Sequence, residues 1–158
     1  MLKNKKQGFT LIEMLVVVAI IGMLGSLIFG GLISSSRAKA RDAKRIADVA
    51  NMQSVFELYY TKFAFYPEPQ SDWSAFTQVL VSPETGIGIS KLPKDPLDNK
   101  SSTNRSYMYG RSDDDGQSYV IGARLETKDQ SLDNDIDGTV YGVDCGQEVG
   151  DMTYCVRP

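Results

Sequence analysis

From Met14 to Ile33 the only polar side chain is Ser26, and a single carboxylate, Glu13, stands at the head of the run. At the rise of an α-helix such a stretch measures about 30 Å, the thickness of a bilayer's hydrocarbon core, so it predicts a membrane-spanning helix. The basic segment before it, with Lys3, Lys5 and Lys6, has the character of a secretory signal's first region. A signal's apolar core, however, runs only about 7–15 residues and ends in a small-x-small cleavage box. Here the run is longer, and past Ile33 the sequence continues as a helix with no such box.

Glu13 is the anomaly in this segment. A carboxylate inside an apolar span costs a few kcal/mol unless it is paired or reaches the interface. One reading places it at the headgroup boundary, snorkelling to water. The other asks for a positive partner, and a cut between Gly8 and Phe9 supplies one, because it frees an α-amino group four residues before Glu13. In a bundle of identical helices the amine of one copy can pair with Glu13 of its neighbour.

The run Lys5-Lys6-Gln7-Gly8-Phe9-Thr10-Leu11-Ile12-Glu13 resembles the class III signal of type IV prepilins and type II secretion pseudopilins. The resemblance is closest over Met1–Ile33 and extends to about Pro67. It implies that a membrane peptidase removes residues 1–8 after Gly8 and methylates Phe9, and that Glu13 serves subunit assembly. It also implies a filament of identical subunits, built by an inner-membrane assembly machinery. The flanking charges set no orientation, since Arg37, Lys39, Arg41, Lys44 and Arg45 follow the span. The resemblance alone implies a cytoplasmic N-terminus and an extracytoplasmic head, in a single-pass inner-membrane protein that later enters a periplasmic or surface filament.

Gly22, Ser26 and Gly30 recur every four residues, a spacing that lets helices approach closely in lipid, although glycine is common in membrane helices anyway. Beyond Ser34 the sequence turns polar without a breaker. Val49, Met52, Phe56, Tyr59 or Tyr60, and Phe63 form one apolar stripe at helical spacing. Pro67 biases Tyr66 away from helix, which predicts an end near Lys62–Phe65. The charges from Arg37 to Arg45 read as a solvated face near lipid headgroups.

The expected fold class is therefore α+β and pilin-like. One long N-terminal helix, transmembrane over residues 9–33 and amphipathic over 34–66, packs on a small antiparallel sheet in a globular head of residues 67–158. In the head, Asp72–Leu80 reads as a short helix capped by Ser71 or Asp72. Pro83, Gly86, Gly88, Pro93 and Pro96 mark a loop. Its Leu92–Pro96 stretch resembles the loop preceding the sheet in major pseudopilins. Ser106–Tyr109 and Ser118–Ile121 flank Asp113-Asp114-Asp115-Gly116, a hairpin signal, with further strands expected at Thr139–Val143 and near Met152–Val156.

Asp133, Asp135 and Asp137 alternate before Gly138, with Thr139 and Asp144 at the seventh and twelfth positions of a calcium-loop count. The twelfth residue is Asp rather than Glu, and no helix pair flanks the loop. An Asp/Gly-rich surface turn accounts for the same residues, while the resemblance favours Ca2+. Cys145 and Cys155 read as a disulfide if the head is exported to an oxidising compartment.

The chain has no histidine, which excludes His-based catalytic triads and imidazole metal sites. Removal of the leader leaves about 14 basic against 20 acidic residues, a poor balance for binding phosphate backbones, so no nucleic-acid partner is expected. No catalytic constellation is visible, and an enzyme is not expected. The function that follows is a structural pilin or pseudopilin subunit, with itself, the prepilin peptidase and methyltransferase, the assembly machinery and membrane lipid as partners. The alternative is a monomeric, membrane-anchored calcium-binding or adhesive module, which leaves Gly8-Phe9 and Glu13 unexplained.

Overall fold

The apolar stripe of the helix finds its sheet. The structure, a computed structural model, describes residues 9–29, 32–98, 107–112, 115–146 and 152–158, with side chains described outside 27–34. Gly8 and the rest of the leader, Gly30, Ser106, Asp113 and Asp114 lie outside the described residues. The chain divides into two units, Met1–Arg37 and Ala38–Pro158.

The N-terminal unit contains α1, Leu11–Phe29. Helix α2, Leu32–Phe63, begins in this unit and continues into the second. The expectation of a transmembrane N-half is corrected here. Among the described residues no helix is long and apolar enough to cross a membrane. Glu13 occupies the first turn of α1, and the apolar stretch behind it, Met14 to Phe29, rises about 24 Å, short of a hydrocarbon core of about 30 Å. The expected single-pass placement in the inner membrane falls with the span.

In the second unit Val49, Met52 and Phe56 of α2 are fully buried, as a 3.6-residue period requires of one helix face. The helix stops at Phe63, where Ala64 turns to a φ of 62° and the Tyr66 amide leaves the helix to donate to the Gly116 carbonyl. Helix α3, Trp73–Val81, starts at Asp72, whose carboxylate accepts from the Ala75 amide at 2.8 Å. It turns Phe76 and Leu80 into the same core.

Strands β1 (Met108–Arg111), β2 (Tyr119–Arg124) and β5 (Thr153–Val156) form an antiparallel sheet in the order β1-β2-β5. Strand β2 lies in the middle and is buried on both faces. Its alternation sends Tyr119, Ile121 and Ala123 to the helices, and Val120 to a second cluster with Val143, Cys145 and Cys155. The head thus has two apolar layers. The second layer is built by the C-terminal segment. There the strand expected at Thr139–Val143 is a tight hairpin, β3 (Thr139–Val140) paired with β4 (Val143–Asp144), because Tyr141 and Gly142 both adopt positive φ and turn the chain. Gly110 of β1 lets the hairpin close in, since a Cβ there would collide with the Tyr141 carbonyl.

The solvated face expected at Arg37–Arg45 is corrected in part. Arg37, Lys39 and Lys44 are exposed, but Arg45 is fully buried, and Asp42 nearly so. The Asp42 carboxylate accepts from the amides of Glu126 and Thr127 and from the Thr127 hydroxyl, and Arg45 bonds Asp42, Asp95 and Glu126. One guanidinium ties α2 to the loop after α3 and to the segment after β2.

Candidate functional site

Thr10 precedes the first residue of α1, and its side chain and amide meet Glu13. The Thr10 amide and hydroxyl both donate to Glu13 Oε2 at 2.9 Å, and the Glu13 amide donates to Thr10 Oγ1 at 3.4 Å. This reciprocal pattern is a capping box, which satisfies amide groups that a helix start leaves without partners. Both acceptor bonds fall on Oε2, so Oε1 makes none among the described residues.

Behind this cap the helix offers no polar face. Leu11, Ile12, Met14, Leu15, Val16, Val17 and Val18 are all exposed, and at 3.6 residues per turn these positions cover the whole circumference. A helix apolar all round requires apolar cover on every side. Gly22 and Ser26 share a face; a Cβ at Gly22 would meet open space, and the Ser26 hydroxyl is bonded back to the Met23 carbonyl at 2.8 Å.

At the other end of the chain Cys145 and Cys155 form a disulfide with Cα atoms 5.7 Å apart. It joins the end of β4 to the middle of β5, the edge strand of the main sheet. The segment between Asp133 and Gly138 lies along that edge. Asp135 Oδ2 accepts from the Cys155 amide at 3.0 Å, and the Ile136 amide donates to the Cys155 carbonyl at 3.1 Å. An exposed strand edge is thereby covered.

The five residues of the calcium-loop count are spread along this structure. Asp133 ends a 3-10 turn, Thr139 pairs with Asp144 across the β3–β4 hairpin, and the Asp144 carboxylate accepts from the Gly146 amide. Among the described residues no three carboxylates or thiols stand close enough to hold a metal.

A family model for the prokaryotic N-terminal methylation motif matches residues 3–29. The type II secretion system core protein G of Vibrio cholerae is 32% identical over 101 residues, covering 61% of this chain and 68% of that protein. The protein of the same name from Aeromonas hydrophila is 29% identical over 119 residues, covering 72% and 82%. That from Pseudomonas aeruginosa is 29% identical over 148 residues, covering 87% and 96%. The chain belongs to the type II secretion core protein G family. No solved structure gives a significant match.

Family membership supports a structural rather than catalytic role for the chain. Phe9 and Glu13 both belong to the described N-terminal unit, while Gly8 lies outside the described residues. Sequence reasoning overlooked Thr10, although Thr-x-x-Glu ahead of an apolar run is the signature of a capping box. It also overlooked the Arg45 network: Asp42, three residues before it on the helix, is a local signal, whereas Asp95 and Glu126 lie 50 and 81 residues away.

Proposed function

We infer that this chain is a filament subunit of a type II secretion pseudopilus, held together through α1. The observation that carries the reading is a helix with exposed apolar side chains around its whole circumference, opening on a carboxylate with one free oxygen. Helices of neighbouring copies supply the missing cover, and heterologous packing of one copy on the next extends without closing. Removal of residues 1–8 by a prepilin peptidase frees the Phe9 amine, which pairs with Glu13 Oε1 of an adjacent copy. The inner-membrane secretion machinery is the partner that adds subunits.

Substitution of Gly8 by valine tests the reading in cells that carry the secretion machinery. The substituted chain is expected to keep its full-length mass, to yield no sheared filaments and to leave secretion unsupported. Normal processing and assembly of that variant would overturn it.

The alternating aspartates support calcium as a ligand of the C-terminal loop. Calcium is then expected to raise the melting temperature of the head, and Asp135→Asn with Asp137→Asn to abolish the rise. An unchanged melting temperature in calcium removes the proposal.

A further inference from the structure

The head carries two oppositely charged surface features. Lys44 of α2, with Lys91 and Lys94 of the loop after α3, lines a groove of about 630 Å³ that also has Val55, Leu92 and Pro93 in its walls. All three lysines are exposed, and none enters a hydrogen bond or ion pair among the described residues. Asp48 also borders the groove, but it is buried and accepts the Tyr107 hydroxyl at 2.7 Å. The groove is therefore a local positive surface on a chain of net charge −3.

The opposite charge collects between residues 129 and 137. Asp129 holds the Ser131 amide at 2.9 Å and Asp135 holds the Cys155 amide. Asp133 and Asp137 are exposed and make no hydrogen bond or ion pair among the described residues.

We propose that the Lys44–Lys91–Lys94 groove of one copy receives the Asp133–Asp137 edge of the next. The inference rests on the filament reading and adds which surfaces of the heads meet. Two different, complementary patches on one chain make a heterologous contact, which propagates into a helical filament instead of closing into a dimer. Charge complementarity fixes the register and orientation of such a contact more than its strength. Lysine stems can lie along the apolar walls while their amines reach the carboxylates.

Filaments of the full chain, assembled from a mixture of isotopically light and heavy subunits, test the contact. A carbodiimide that couples amines directly to carboxylates should link Lys91 or Lys94 of one copy to Asp133 or Asp137 of another. Calcium in the same loop neutralises these carboxylates, so the link is sought both with calcium and with a chelator, and its appearance in either supports the contact. Lys91→Glu with Lys94→Glu should lower filament yield about tenfold through like-charge contact, with the subunit's melting temperature unchanged. Asp133→Lys with Asp137→Lys should lower the yield likewise when assembly is run in a chelator, and mixing the two variants there should restore filaments, since in alternation every junction joins opposite charges.

Filaments undiminished by either reversal, or links found only within one copy or to other proteins, overturn this contact and leave the filament reading standing. A wild-type chain that forms no filaments overturns both.

Discussion

Arg45 grips Asp95 with two hydrogen bonds, Nε to Oδ2 at 2.6 Å and Nη2 to Oδ1 at 3.0 Å, at a place where the guanidinium is fully buried. Burial by itself draws the arginine pKa down, but the bonds to Asp95, Glu126 and Asp42 outweigh it and keep the charge in place. Asp95→Ala removes two bonds from the guanidinium but leaves Asp42 and Glu126 on it, so it should lower the unfolding free energy of the head in urea titrations by about 1.5–3 kcal/mol, the range for hydrogen bonds to charged groups. A loss well below 1 kcal/mol would show that water or another carboxylate takes the place of Asp95.

Glu126 gives the same network a pH dependence. Hydrogen bonding from Arg41 is the largest influence; burial opposes it, and Arg45 reinforces it, so the carboxyl is held down from 4.5 to about 2. A depressed carboxyl pKa stabilises the fold fully above the unfolded value and loses that contribution as the carboxyl protonates in the folded state. Melting temperature should fall as pH drops from 4.5 toward about 2, and Glu126→Gln should flatten the fall. An equal slope in both proteins would assign the acid sensitivity elsewhere.

The disulfide closes a short loop and ties the second apolar layer to the main sheet. For a loop of this size the constraint is worth about 3 kcal/mol. Replacement of both Cys145 and Cys155 by serine should destabilise the head by that order and speed exchange of the Ile136 amide, which donates to the carbonyl of residue 155, and of the amide at 155, which donates to the Asp135 carboxylate. Exchange unchanged at those two amides would mean the hairpin holds the edge unaided.

Regular periodicity made much of the head legible beforehand. The stripe Val49, Met52 and Phe56 follows from helical spacing, the Asp72 cap from residue type, and β2 from the hairpin signal before it. What stayed hidden depended on long-range pairing or on backbone geometry. Arg45 looked like one cation in a solvated row because its acceptors Asp95 and Glu126 come from distant segments. The β3–β4 hairpin was concealed by Tyr141, whose positive φ is unusual for a bulky residue. At the candidate site, composition singled out Glu13 as costly in apolar surroundings, but only the structure put one of its oxygens on Thr10 and left the other open.

That division of labour separates two roles that an alanine at position 13 would confuse. Glutamine can also close a capping box with threonine, so Glu13→Gln keeps the helix start and removes the charge. Thr10→Ala does the reverse. The decisive measurement is filament yield, by shearing and electron microscopy, for these two variants beside the wild type. Assembly through a Glu13 carboxylate predicts that Glu13→Gln loses most of its filaments while Thr10→Ala keeps them. Wild-type yield from Glu13→Gln, with loss confined to Thr10→Ala, would contradict it and reduce Glu13 to a helix cap.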